Sequence, residues 1–200
     1  MSKDDFGSHV FSGLLLFDGQ CESWYRFSRL FKHYFLMEEP RMPRFHKFDI
    51  ARSQLVTATE IFFNQQNFSA VITLAGAASG ILDELVRREG KEPFVDYMCR
   101  IHRELAGATP ARQSAHHHIE NRLGISAHKH LSHNDTPTVQ LDLERLATDA
   151  LVRAISDYIA LKGQDEAFVK AVLQWVWKNS DGEAMMEQYR AVPMRQRPRT

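Results

Sequence analysis

The stretch LDLERLATDALVRAISDYIALKG, residues 141–163, decides the fold. Its apolar side chains recur every three or four positions, which is the spacing of one helix face and not the alternation of a strand. Gly163 follows the last of them, as glycine commonly does at a helix C-terminus. The stretch therefore predicts a long amphipathic helix that needs an apolar partner. Its apolar face consists of Leu143, Leu146, Ala147, Ala150, Leu151, Ala154, Ile155, Tyr158 and Ile159.

The best partner is FSAVITLAGAASGILDELVRREG, residues 68–90, where the apolar residues again keep helical spacing. Asn67 stands at the expected N-cap. The middle of this helix, AGAASG, is almost bare of side chain, so a neighbouring helix can approach it closely. We expect this helix to be the centre of a bundle. Close packing explains its glycines better than a phosphate loop does, because there is no GxGxxG motif and no preceding strand.

Further helical patterns flank this pair. RSQLVTATEIFF (52–63) precedes it, Pro93 opens a pattern that Gly107 ends, and residues 165–177 carry a last, aromatic-rich one. No alternating strand pattern is longer than a few residues, so the sequence predicts an all-α bundle of five or six helices. The expected core contains Leu74, Ile81, Leu82, Leu85, Ala147, Leu151, Ala154 and Ile155.

Three parts are expected along the chain. Residues 1–50 are aromatic-rich and are predicted to form an N-terminal extension packed on the bundle. Residues 51–180 form the helical bundle, and 200 residues with 44% hydrophobic content are enough for one core. Residues 181–200 are predicted to be a flexible, Arg-rich tail.

Composition argues for a soluble cytoplasmic protein that does not enter a membrane. Lys plus Arg equals Asp plus Glu at 25 each, so an anionic partner must be met by a local patch. Cys21 and Cys99 have no CxxC spacing, which fits buried, reduced thiols. The apolar run VFSGLLLF (10–17) is a poor signal peptide, and no later segment approaches the roughly 20 apolar residues that cross a bilayer.

Six of the ten histidines lie in HHHIENRLGISAHKHLSHND, residues 116–135, called the histidine segment below. A metal site, an acid/base site and a polar loop are the alternatives. No HExxH motif and no Glu-x-x-His pair supports a metal site. The consecutive His116, His117 and His118 point about 100° apart on a helix and cannot share one ion. The remaining candidates for a weak zinc site are His128, His130, His133 and Asp135.

An acid/base site needs fewer converging side chains than a metal site does. One or two histidines and a cation that binds an anion are enough. Arg122 precedes His128 by six residues, and Lys129 and His130 adjoin it. On a straight helix Arg122 and His128 would lie about 120° apart, but Gly124 between them permits a local distortion.

The chain resembles a group of bacterial proteins related to the HEPN domains. The resemblance covers roughly residues 50–162 and is carried by QLVTATEIFFNQQNFSAVITLAGAASGILDEL, by AHKHLSHND and by the amphipathic helix that follows. It implies an all-α, HEPN-like bundle, usually dimeric. Many HEPN domains are metal-independent ribonucleases of toxin or defence systems, in which an arginine and a histidine are separated by four to six residues and two protomers form one cleft.

Within this resemblance, position along the chain selects Arg122 and His128 over other pairs that satisfy the spacing, such as Arg112 with His117 or His118. The resemblance implies catalysis by Arg122, His128, Lys129 and His130, with no cofactor and no metal. One departure matters: similar proteins carry arginine and asparagine where this chain has Ile125 and Ser126.

Three functions therefore stay open. The first is a metal-independent RNA endonuclease, with RNA or a nucleotide as ligand and a homodimer as the active form. The second is a catalytically degenerate binding or scaffolding protein with a protein partner or antitoxin. The third is a His-rich metal-binding protein.

Overall fold

The computed structural model describes residues 42–130, 133 and 136–199, which apart from residues 42–44 belong to one unit, Phe45–Thr200. The all-α prediction is confirmed, since these residues contain helices and no strand. They form eight α-helices instead of five or six, because the histidine segment and the tail are helical as well. The helices are α1 (Lys47–Asn64), α2 (Phe68–Arg88), α3 (Phe94–Ala106), α4 (Arg112–Arg122), α5 (Ile125–Lys129), α6 (Leu143–Lys162), α7 (Ala167–Asn179) and α8 (Gly182–Ala191), followed by a 3₁₀ turn (Met194–Gln196).

The core lies where α2 packs against α6 on one side and α1 on the other. Leu82, Leu151 and Ile155 are almost fully buried, and each contributes about 1.5–3 kcal/mol by leaving water. The predicted core residues Ala147 and Ala154 are buried too. The predicted Leu74, Ile81 and Leu85 are only half-buried, because they lie at the edge of the apolar face of α2. The centre of that face is formed by Val71, Ile72, Ala75, Ala78, Leu82 and Val86.

Local signals fix the helix ends as the sequence predicts. The Asn67 side chain accepts a hydrogen bond from the backbone N–H of Ala70 at 3.2 Å and so caps α2. Pro93 immediately precedes α3. Gly107 and Gly163 follow α3 and α6 with φ angles of 74° and 78°, in the left-handed half of the map that glycine tolerates.

The bundle starts before residue 51, because α1 begins at Lys47. The ring of Phe48 stacks on that of Tyr158, with 5.4 Å between centroids. Arg52 donates two hydrogen bonds to the carboxylate of Glu166, at 3.0 and 2.7 Å, and the hydroxyl of Tyr158 donates to the same carboxylate at 3.0 Å. These contacts tie α1 to the α6–α7 corner, so residues 47–50 belong to the bundle and not to the N-terminal extension. The rest of that predicted extension, residues 1–41, lies outside the described residues.

Much of the segment predicted to be a flexible tail, residues 181–200, has regular structure. Gly182–Ala191 form α8, whose N-terminus is capped by the Asp181 side chain accepting from the N–H of Ala184 at 2.9 Å. Farther on, Arg100 of α3 donates to the carbonyl oxygens of Arg195 and Arg197 at 2.5 and 2.9 Å. A search for apolar periodicity does not detect such contacts, because they come from one polar side chain on another helix.

Among the described residues, α2 alone is long and apolar enough to cross a membrane by length and composition. This corrects the expectation that no segment approaches that length. Half of its most apolar window is buried inside the protein, against α1 and α6. The apolar residues of α2 thus form part of the core of the bundle.

Of the two glycines in α2, Gly76 is needed for close packing and Gly80 is not. A Cβ atom added at Gly76 would lie 2.7 Å from the Cγ2 atom of Ile125 at the start of α5. A Cβ atom at Gly80, one turn later on the same helix, would meet nothing within 4 Å. Gly76 therefore sets the distance between α2 and α5.

This difference predicts opposite effects for the same substitution. Gly76→Ala should lower the free energy of unfolding by about 1–2 kcal/mol, because overpacking outweighs the gain of about 1 kcal/mol in helix propensity. Gly80→Ala should raise it by about 0.5–1 kcal/mol. Urea unfolding of the two variants measures this directly, and an equal effect at both positions would contradict the packing role of Gly76.

Candidate functional site

An open groove lies between α4, α5 and the chain at 136–139. Two histidines of the histidine segment line it: His117 from α4, and His130, which directly follows α5. We call it the histidine groove. The rest of its lining is Glu120, Asn121, Ser126, Ala127, Thr136, Pro137, Thr138 and Val139.

The groove is held by the turn between α4 and α5. Gly124 has a φ of 71°, which ends α4 and lets the chain start α5 at once. Ile125, the next residue, is 1% exposed and packs over Gly76, while Leu123 is half-buried against the core. These two apolar anchors, which lie between polar residues in the stretch ENRLGI (120–125), fix the segment, so the polar side chains around them have defined positions.

The four residues predicted to be catalytic have different surroundings. His130 is exposed and lines the groove. Lys129 Nζ lies 3.3 Å from Glu120 Oε1, so its charge is partly balanced. Arg122 is exposed at the last position of α4, is not part of the groove lining, and forms no ion pair with the described residues. Of Arg122, His128, Lys129 and His130, only His130 lines the groove.

His128 is held in one orientation and one tautomer. Its Nδ1 lies 2.7 Å from the carbonyl oxygen of Gly124. Because a carbonyl oxygen can only accept, Nδ1 carries the proton, and in the neutral ring Nε2 keeps its lone pair. His102 makes the same contact with the carbonyl oxygen of Ala108, at 2.8 Å, and does not line the groove. The orientation of His128 is compatible with two roles. Its Nε2 could act as a general base, and its hydrogen bond to Gly124 stabilises the short helix α5.

The three consecutive histidines point in different directions, as predicted. His117 lines the groove and His118 is exposed elsewhere on α4. His116 is half-buried, and its Nδ1 lies 3.6 Å from Glu120 Oε2. Burial lowers the pKa of His116, and the Glu120 carboxylate opposes this change.

The described residues contain no group of three or more His, Cys, Asp or Glu side chains that could hold a metal ion. Of the residues considered for zinc, His133 is exposed and Asp135 lies outside the described residues. Cys99, buried on α3, is a free thiol whose pKa is raised by burial.

Behind the groove lies a buried network of charges that the sequence analysis missed. Arg153 of α6 is 2% exposed, and its Nη1 donates to the hydroxyl of Ser79 on α2 at 2.9 Å. Asp83 of α2, 4% exposed, accepts from Arg112 at the start of α4. Arg112 also donates to Asp96 of α3 at 2.6 Å. The network therefore joins α2, α3, α4 and α6.

Asp157, one turn after Arg153 on α6, completes the network. Its Oδ1 accepts from the backbone N–H of Phe94 at 2.7 Å and so caps α3. Its Oδ2 has no hydrogen-bond partner among the described residues, and neither do Asp83 Oδ1 and two nitrogens of Arg153. Burying such groups is costly, so the network reduces stability at the centre of the bundle while fixing how the helices meet.

The network reaches the groove through α4. The charges of Arg153, Asp83 and Arg112 act on His116, which faces Glu120, and Glu120 lines the groove. The sequence carries a signal for it. Ser79 and Asp83 on α2, like Arg153 and Asp157 on α6, are polar pairs four residues apart that interrupt or border an apolar stripe.

The geometry defines an all-α bundle with a polar groove and a buried charge network beside it. No protein-family model, no curated protein and no solved structure matches the chain.

The network predicts a stability that depends on pH. Burial raises the pKa of Asp157 from 3.8 to about 7, although the N–H of Phe94 favours the charged form. The folded protein therefore binds a proton at pH values where the unfolded chain has lost it, and its stability falls as pH rises toward 7. Asp157→Asn keeps the acceptor for Phe94 but cannot ionise. Between about pH 5 and pH 8 the wild-type protein should lose on the order of 2 kcal/mol more than this variant.

Chemical unfolding of both proteins at several pH values checks this. Other titrating groups, including the histidines, are common to both proteins, so the difference between the two curves isolates Asp157. Parallel curves would show that Asp157 is ionised throughout.

Proposed function

We propose that this chain is an HEPN-like protein that cleaves RNA without a metal ion, and that the histidine groove is its active site. The observation that supports this most is the pair His117 and His130, two imidazoles from different parts of the histidine segment on the wall of one open groove. In the transesterification of RNA, one histidine can act as the general base and the other as the general acid. The protein would act in the cytoplasm.

The reaction would use the ribose 2′-OH. One histidine removes its proton, and the oxygen attacks the adjacent phosphorus in line. The bond from phosphorus to the 5′-oxygen breaks, and the second histidine donates a proton to that oxygen. The products are a 2′,3′-cyclic phosphate and a 5′-hydroxyl, so RNA and not DNA is the substrate.

Two cations, Arg122 at the end of α4 and Lys129 at the end of α5, would stabilise the negative charge of the transition state. Arg122 has no ion-pair partner among the described residues. Lys129 is paired with Glu120, but at 3.3 Å and about one third exposed this pair is weak enough to yield to a phosphate. His128, with Nδ1 bound to Gly124, would offer Nε2 to the substrate from the rim.

Cleavage in EDTA tests the proposal. RNA incubated with the wild-type protein should be cut. His117→Ala and His130→Ala should each slow cutting by about 10²–10⁴-fold, since each removes an acid or base. Arg122→Ala should slow it less, by about 10–100-fold. His102→Ala is the control, because it removes a histidine that does not line the groove.

A second candidate, an RNA-binding or protein-binding relative without catalysis, is favoured by Ile125. Similar proteins carry an arginine at this position, and here the side chain is buried against Gly76. RNA that binds but stays intact would support this candidate. Activity that EDTA abolishes would point instead to the third function, a metal-dependent histidine site.

The resemblance also leads us to propose a homodimer in which two copies of the histidine segment form one cleft, with a protein antitoxin as a further partner. The broad apolar face of α2 does not support a dimer, because α1, α5 and α6 of the same chain cover that face. Light scattering should give twice the chain mass of 23.1 kDa. A monomer at micromolar concentration would leave each groove to act alone.

A further inference from the structure

A second polar pocket lies at the other end of α4, between α3 and the C-terminal segment. It is independent of the histidine groove, with which it shares no lining residue. We call it the arginine pocket. It is lined by Asp96, Cys99, Arg100, Arg103, Thr109, Pro110, Arg112 and Arg199.

Two of its four arginines build the pocket. Arg100 is 13% exposed in its side chain and donates two hydrogen bonds to Glu92, at 2.7 and 2.8 Å. The same guanidinium binds the carbonyl oxygens of Arg195 and Arg197, which brings the C-terminal segment onto α3. The backbone N–H of Arg199 then donates to Glu92 at 3.2 Å. The position of Arg199 at the pocket is therefore fixed by three backbone contacts.

Arg112 forms the floor. Its Nε donates to Asp96, and its Nη2 donates to the buried Asp83. Its Nη1 forms no hydrogen bond with the described residues, although the side chain is 35% exposed. Arg112 thus has one pair of N–H groups left for a ligand, held rigidly by two carboxylates.

The charges of the remaining two arginines, Arg103 and Arg199, are not paired with a carboxylate among the described residues. Within residues 42–130, 133 and 136–199, the side chains of Arg103 and Arg199 form neither an ion pair nor a hydrogen bond, and both residues are exposed. Four arginines and one aspartate line the pocket. Arg112 is paired with Asp83 and Asp96, and Arg100 with Glu92 and Glu104, so the positive charge left for a ligand is that of Arg103 and Arg199.

We propose that the arginine pocket binds a phosphate group, with Arg103 and Arg199 as its principal ligands and Arg112 Nη1 as the third. Guanidinium groups bind phosphate oxygens through paired hydrogen bonds, and two cations suit the two charges of a phosphate monoester. The ligand class is therefore a terminal phosphate, either of a free nucleotide or of an RNA 5′ end. This site does not depend on cleavage at the histidine groove.

Calorimetric titration with inorganic phosphate and with adenosine monophosphate tests the site. The wild-type protein should bind both, and Arg103→Gln and Arg199→Gln should each weaken binding by roughly tenfold, since each removes a charged hydrogen-bond donor. Arg88→Gln is the matched control: it removes the same charge from an exposed arginine whose ion pair with Glu84 lies on the surface of α2. The affinity of the Arg88→Gln variant for phosphate and adenosine monophosphate should stay within about twofold of wild type.

A short oligoribonucleotide with and without a 5′ phosphate separates the two sources of the ligand. Tighter binding of the phosphorylated strand that Arg103→Gln abolishes would assign the site to RNA ends. Binding of adenosine monophosphate, with no preference between the strands, would assign it to free nucleotides. Absence of phosphate and nucleotide binding, or equal losses in Arg88→Gln and Arg103→Gln, would overturn the proposal.

Discussion

The contact between α2 and α6 is the constraint on which the rest of the structure depends. Its apolar part buries Leu82, Leu151 and Ile155 and supplies the driving force for packing. Its polar part, the hydrogen bond from Arg153 to Ser79, allows only one relative position of the two helices. If α6 shifted along α2, Arg153 would lose its hydrogen bond to Ser79. This polar contact therefore selects one register of the two helices, whereas apolar contacts alone would allow several.

The same buried network determines where the other helices go. Asp157 caps α3, and Asp83 receives Arg112 at the start of α4. Two helices with few buried apolar side chains of their own are thus placed by charge and hydrogen bonding: α3 buries Val95 and Cys99, and α4 buries none. This explains how a helix as polar as α4 can hold a fixed position and present His117 on one side and Arg112 on the other. Since burial disfavours the charged forms of Asp157 and Arg153, the positioning comes at a cost in stability that depends on pH.

The two polar sites sit at opposite ends of α4 and differ in chemistry. The histidine groove offers imidazole rings, which can donate or accept hydrogen bonds, whereas the arginine pocket offers fixed positive charge. Their common support is the α2–α6 pair: Ile125 against Gly76 holds the groove, and Arg112 on Asp83 holds the pocket. A single substitution in the core can therefore affect both the histidine groove and the arginine pocket.

The sequence by itself determined the helical class, the two central helices and most helix ends. These follow from local rules: apolar spacing places residues such as Leu151 and Ile155 on one face, and Asn67 or Gly163 supplies a cap or a stop within one turn. The helix over residues 182–191 was missed because its pattern is weak and its neighbouring segment is held by Arg100 from far away in the chain.

Only the tertiary structure decided which polar side chains meet. Asp83, Arg112 and Arg153 are separated by 29 and 41 positions, and nothing in their local sequence specifies that they share one buried site. Likewise, the spacing of Arg122 and His128 suggested a pair, while the fold turned His128 onto Gly124 and placed His117 with His130. Periodicity fixes the face on which a side chain lies. Its neighbours depend on how the faces are packed, and that is set by contacts between residues distant in sequence.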